Sequence, residues 1–190
     1  MELVLPRSAA SVLQALRAAG YEAYVVGGCV RDSLLGRRPG DWDVTTSALP
    51  EETKAVFSGA PVIETGVRHG TVAVLVGGEP IEITTYRVDG PYSDGRRPDS
   101  VAFTRSLRED LARRDFTVNA MAWSPETGLV DPFGGAGDLR GKIDPLRRGP
   151  RAAVSGGRAA HPARPAFLLV ARLFHRGRNR RRPARGPRAA

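Results

Sequence analysis

Asp41 and Asp43 stand one residue apart in the stretch GDWDVTT, at the head of a β-branched run. Strands disfavour aspartate, whose short polar side chain competes for backbone hydrogen bonds. Residues two apart in a strand project from the same face. The reading therefore puts both carboxylates together and turns Trp42 towards the core. Adjacent carboxylates raise each other's cost of ionisation, and a divalent cation removes that cost. Mg²⁺ prefers oxygen ligands and is commonly held by one or two carboxylates with substrate phosphates. Two such ions, roughly 3.5–4 Å apart, clamp the attacking and leaving oxygens of a phosphoryl or nucleotidyl transfer. A solvated Asp-x-Asp turn shares the pattern, so the pair by itself leaves the choice open.

Other residues have matching chemistry. Upstream, VVGGCVRD places Gly27 and Gly28 between a strand and a helix that carries Arg31 and Asp32. Glycines let backbone approach a phosphate closely, and a helix start offers free N–H groups. Arg31 can add a charge-assisted contact. An ordinary strand-to-helix turn reads the same way. Downstream, IEITTYR sets Glu82 on a strand, facing away from Ile81 and Ile83. It joins the aspartates if the strands are neighbours and faces solvent if they are not. EDLARRDF places Arg113 and Arg114 between Asp110 and Asp115. Arginine forks match phosphate oxygens, although a surface ion-pair cluster is also possible. No histidine accompanies a serine or cysteine nucleophile signature, which sets acyl-transfer triads aside. GxGxxG and GxxxxGK[ST] are both absent. Cys29 reads as a small packing residue.

The elements that position these groups alternate. Ser8 is a plausible N-cap for a helix with Val12, Leu13 and Leu16 at helical spacing, and Gly20 is a stop signal. YEAYVVGG and DWDVTT read as strands, CVRDSLLG as a short helix closed by Gly36. LPEETKAVF is a helix with Pro50 and two acids in its first turn. GTVAVLVGGEPIEITTYR is two strands around a Gly77–Gly78 turn. Residues 88–105 form a long polar loop, a type that is usually functional or mobile. SLREDLARRDFTVNAMAW starts helical, and TGLVDPFGGAGDLRGK is a short strand, a turn and a helix start.

Bulk properties divide the chain. Of its 190 residues, 145–190 hold 13 arginines and no Asp, Glu or Lys. Residues 1–144 carry 16 basic residues against 20 acids, a balance of −4 within a chain of net charge +9. The basic character thus lies in the tail, which could bind nucleic acid. With one cysteine, the chain can form no internal disulfide and has no CxxC zinc motif, as suits a reducing cytoplasm. The N-terminus does not read as a signal peptide, and no window approaches the ~18 apolar residues of a membrane span. The reading gives one ordered domain over 1–144. The Arg/Ala/Gly/Pro-rich tail over 145–190 is too polar and proline-rich to build a core.

Taken in order, GGCVRDSLLGRRPGDWDVTTSALPEE, GVRHGTVAV, the IEITTYR-to-NAMAW run and GLVDPFGGAGDLRGK closely resemble the head domain of bacterial tRNA nucleotidyltransferases (CCA-adding enzymes) and their poly(A) polymerase relatives. These belong to the DNA polymerase beta nucleotidyltransferase superfamily. The resemblance covers roughly residues 20–143. It implies an α+β fold, a small mixed β-sheet flanked by helices. It implies that Asp41 and Asp43 bind Mg²⁺, with Glu82 as a further acidic catalytic position. Gly27, Gly28, Arg31, Arg114 and, in support, Arg113 would bind the nucleotide. The implied reaction joins CMP or AMP, from CTP or ATP, to a tRNA or other RNA 3′ end. In the family a helical neck with a base-selecting EDxLRxxRxxRF motif follows, and residues 145–190 contain no such motif. A tail of this composition is what a GC-rich gene yields out of frame. It is therefore expected to be frameshifted or disordered, and activity of the chain is expected to be weak or absent. Poly(A) synthesis is one alternative reading; an inactive remnant with a nonspecific RNA-binding tail is another.

Overall fold

The computed structural model describes residues 2–90 and 100–141. The tail and the centre of the 88–105 loop, with the expectations attached to them, lie outside the described residues.

The first helix, α1 (Arg7–Ala18), buries Val12, Leu13 and Leu16, as their spacing requires. Ser8 is not its N-cap: the helix begins at Arg7, and Pro6 holds the N-cap position. The Ser8 hydroxyl instead donates to Glu79 Oε2 at 2.6 Å. The chain continues through β1 (Ala23–Val26), α2 (Gly28–Leu34), β2 (Asp43–Thr46) and α3 (Pro50–Val56). In α3 the Glu52 carboxylate accepts the Leu49 N–H at 2.7 Å, so an orphan donor at the helix start is satisfied. β3 (Val62–Gly66), β4 (Thr71–Val76) and β5 (Glu79–Thr85) follow. Gly77 and Gly78, with φ of 61° and 83°, make the β4–β5 turn that a paired-glycine hairpin predicts.

The long polar loop is shorter than its composition suggests. Its ends pair as β6 (Arg87–Asp89) and β7 (Val101–Phe103), a separate antiparallel ribbon. α4 (Leu107–Ala112) starts at Ser106, whose hydroxyl accepts the Glu109 N–H. A 3₁₀ turn at Thr117–Asn119, β8 (Ala122–Ser124), β9 (Gly128–Val130) and α5 (Gly135–Gly141) complete the described residues. No helix among them is long and apolar enough to cross a membrane.

Seven of the described strands form one mixed sheet in the order β3-β4-β5-β2-β1-β8-β9. The single parallel pair is β2 with β5. This is the mixed sheet with flanking helices expected from the sequence. Strand alternation sends Val25 and Val44 to one face, where they join α1 and Val74, Ile81 and Ile83 in the main core. Tyr24 and Val26 reach the other face and pack with Tyr86, Leu111, Ala122 and Phe133. Asp43 and Thr45 flank Val44 and so project to this second face, beside α4.

Candidate active site

Asp43 is the first residue of β2, and Asp41 lies just ahead of the strand in irregular backbone. The expectation that both belong to the strand is thus half right. Pairing with β5 begins at Asp43, and nothing upstream of it has a partner in the register. Trp42 packs against the main core, as the alternation demands. Asp41 is exposed and Asp43 half-buried. The register sets Asp43 directly beside Glu82, across the parallel β2–β5 pair. Ile81 and Ile83 are buried while Glu82 is exposed, so the strand presents the carboxylate away from the main core. The sheet therefore brings Glu82 to the aspartates.

The electrostatics record this crowding. Burial, then the Asp41 carboxylate, then that of Glu82 push Asp43 up to about 6, and Arg114 opposes them. These are hard oxygen donors with too little positive charge around them, a set that fits a divalent cation such as Mg²⁺. Among the described residues no group of three His, Cys, Asp or Glu side chains is placed to hold a metal ion. The two aspartates would hold one with substrate oxygens completing the shell.

The glycine turn lies beside this acidic cluster. Gly27 adopts φ 81° and ψ −129°, a conformation closed to most side chains, and α2 starts at the next residue. Its N–H donates to the Met121 carbonyl at 3.2 Å. A Cβ on Gly27 would come within 3.2 Å of Arg114 Nη1, and one on Gly28 within 3.7 Å of Arg31 Nη2. Two guanidinium groups are thus laid over the glycine pair. Arg31 is held there by Asn119 Oδ1 at 2.7 Å and by Asp32 Oδ1 at 2.9 Å. Arg114, whose side chain is 19% exposed, meets Asp110 Oδ2 at 3.5 Å. Burial lowers its pKa, and the Asp110 carboxylate is the strongest opposing influence. Among the described residues Arg114 Nε is buried without a hydrogen-bond partner.

Arg113 is engaged differently. Its Nε meets Asp110 Oδ1 at 3.0 Å, and its Nη1 lies 3.6 Å from Asp89 Oδ2. It faces two carboxylates rather than the glycine turn. Cys29 is buried, its thiol donating to the Val26 carbonyl and pushed up to about 11, chiefly by burial. That is the packing role read from the sequence.

Two residues at the site carry no role in the sequence reading. Asp110 is fully buried and gathers donors from three elements. Its spacing to Arg113 and Arg114 (i+3 and i+4 on a helix) was a visible signal. Asn119 orients Arg31 across 88 residues of chain, and no local pattern announces that contact.

A mixed sheet that presents paired carboxylates next to a glycine turn overlaid by arginines defines a nucleotidyltransferase-like head. The chain belongs to the Poly A polymerase head domain family, whose model matches residues 23–143. Within curated proteins it is 55% identical over 142 residues to the CCA-adding enzyme of Lactobacillus helveticus, covering 72% of this chain and 35% of that protein. It is 51% identical over 137 residues to the CCA-adding enzyme of Geobacillus stearothermophilus, covering 72% and 33%. The chain therefore spans about a third of the length of these relatives. The crystal structure of the Bacillus stearothermophilus CCA-adding enzyme in complex with CTP is similar with a TM-score of 0.64 and 47% identity. That match covers 72% of this chain and 32% of that one. A tRNA nucleotidyltransferase complexed with a primer tRNA and an incoming ATP analog is similar with a TM-score of 0.51 and 35% identity, covering 68% and 36%.

Proposed function

We propose that this chain is a template-independent RNA nucleotidyltransferase that adds CMP or AMP, from CTP or ATP, to the 3′ end of a tRNA or other RNA in the cytoplasm. The observation that carries the reading is the placement of Asp41, Asp43 and Glu82 beside a glycine turn overlaid by Arg31 and Arg114. Similarity to CCA-adding enzymes, one of them complexed with CTP, supports it.

In the proposed reaction the RNA 3′-hydroxyl oxygen attacks the α-phosphorus of the nucleotide. The new O–P bond forms as the bond to the bridging oxygen breaks, the hydroxyl proton passes to water, and pyrophosphate leaves. The side-chain-free Gly27–Gly28 turn lets the triphosphate approach the backbone, while Arg31 and Arg114 bind its oxygens and offset charge gathering on the leaving group. Asn119 and Asp110 hold those two arginines before substrate arrives. Glu82 keeps the field at Asp43 negative, and Arg113 supports Arg114 through the shared Asp110. Mg²⁺, held by Asp41 and Asp43 in a two-ion arrangement, would supply charge neutralisation and Lewis acidity at the reacting phosphate.

Poly(A) synthesis is the second reading. It is favoured by the name of the matching family. The test is incubation of the chain with a tRNA lacking its 3′ end, Mg²⁺ and labelled CTP or ATP. Low but Mg²⁺-dependent label transfer is expected, and none from the Asp41→Ala protein. Transfer from ATP alone as a long ladder favours the second reading. The absence of transfer from either nucleotide removes the activity.

A further inference from the structure

The Asp110 carboxylate is fully buried and has donors on both oxygens. Oδ2 accepts the Thr45 hydroxyl of β2 at 3.0 Å and lies 3.5 Å from Arg114 Nη2. Oδ1 accepts Arg113 Nε at 3.0 Å and the backbone N–H of Arg87 at 3.3 Å. One side chain thus joins the catalytic strand, the start of the β6–β7 ribbon and both arginines. Packing alone gives little reason for a charge here, because a buried ion pair is often no more stabilising than apolar residues of the same volume. The charge does have a geometric result. Arg114 is a long side chain with much rotamer freedom, yet its Nη1 is laid against Gly27 while its Nη2 is drawn to Asp110. Thr45 lies two residues beyond Asp43, so the same oxygen that draws Arg114 also registers it to the strand of the aspartates.

We infer that Asp110 is a positioning residue for nucleotide binding: it fixes Arg114 over the Gly27–Gly28 turn and ties that arginine to β2. The inference rests on the proposed nucleotide site. Ordering Arg114 in advance removes an entropic cost that the incoming nucleotide would otherwise meet.

The test is a double-mutant cycle on binding, with the full chain, Mg²⁺ and CTP or ATP, and no RNA, so that no transfer occurs. Calorimetric titration gives the affinity of the parent, Asp110→Asn, Arg114→Ala and the double variant. Urea denaturation of each is run alongside. Asp110→Asn is expected to weaken binding about 10–100-fold, the range for losing a charge-assisted contact. In the Arg114→Ala background the same change is expected to weaken it no further. A purely structural role would lower stability equally in both backgrounds and leave the affinity of the folded protein unmoved. Unchanged affinity in Asp110→Asn, or an equal loss with and without Arg114, overturns the inference. If Asp110→Asn does not fold, Thr45→Val enters the same cycle. It removes the hydroxyl that reaches Asp110 Oδ2 and, at 3.2 Å, the Thr84 carbonyl, and a loss of several-fold that vanishes without Arg114 is expected. If the parent binds neither nucleotide, the proposed function fails and the inference falls with it; a parent that binds beside an unaffected variant sinks the inference alone.

Discussion

Replacing Asp43 by asparagine is expected to make the metal-free protein more stable, and only above about pH 4. The carboxyl titrates near 3.8 in an ordinary setting and is pushed up to about 6 in the fold, first by burial and then by Asp41 and Glu82. Each factor of ten in proton affinity is worth about 1.36 kcal/mol, so the difference amounts to about 3 kcal/mol. The sign follows from linkage. The folded state binds this proton more tightly than the unfolded chain, so the associated stability is fully present below pH 3.8 and is lost as pH rises through about 6. Asparagine never ionises, so it should match the parent near pH 4 and exceed it by up to about 3 kcal/mol at pH 8. For a domain of this size that is a Tm rise of roughly 6–12 °C. The assay is urea denaturation in EDTA at pH 4, 6 and 8, followed by the fluorescence of Trp42 and Trp123, both packed against the main core. Added Mg²⁺ should then close the gap from the parent's side, by about 2.7 kcal/mol at a hundredfold excess over its Kd. The asparagine variant should gain little. A stability gap that is the same at pH 4 and pH 8 refutes the reasoning, because it would mean that the carboxyl titrates normally.

Four other outcomes are expected. Asp41→Ala and Asp43→Ala should each abolish label transfer to RNA while leaving a folded protein, as circular dichroism would show. Gly27→Ala should cost about 1–3 kcal/mol in urea denaturation, because its backbone conformation suits glycine nearly alone. The new methyl, 3.2 Å from Arg114 Nη1, should also weaken nucleotide binding in a titration. Gly135→Ala should destabilise by about 1–3 kcal/mol or more, since its Cβ would come within 2.2 Å of the Thr117 carbonyl oxygen; the urea midpoint reads this directly. Cys29, the only cysteine, should ignore a thiol reagent at pH 8 in the folded protein and react fully after unfolding, because its thiol is buried and pushed up to about 11.

The helices and several strands of the head were legible because their signals are local: Val12, Leu13 and Leu16 at helical spacing, the Gly77–Gly78 turn, Pro50 with its acids; β3 (Val62–Gly66) and β8 (Ala122–Ser124) were not read as strands. The misreadings were local contests between competing partners. Ser8 is a good cap by type, but Pro6 starts α1 first and Glu79 takes the hydroxyl. Asp41 matches the strand pattern, but pairing with β5 begins only at Asp43. The site was legible in residue type and facing rather than in contact. Alternation could aim Glu82 away from Ile81 and Ile83, yet only the parallel crossover brings it beside Asp43. The divided use of the two arginines, Arg114 against Gly27 and Arg113 between Asp89 and Asp110, depends on contacts with distant segments that no spacing rule encodes.

The interior strand β1 has consequences for the order of assembly. Its first partner, β2, is made soon after it, but its second, β8, pairs Val26 with Ala122, roughly 100 residues later. At ~5–20 residues per second on the ribosome, one edge of β1 waits roughly 5–20 s for that partner. Such an edge offers unpaired N–H and C=O groups to any passing strand. The Gly27 N–H waits as long, because its acceptor is the Met121 carbonyl. A nascent chain that has not yet delivered β8 therefore carries Asp43 at the head of β2, with Asp41 just before it, but lacks the acceptor that closes the glycine turn.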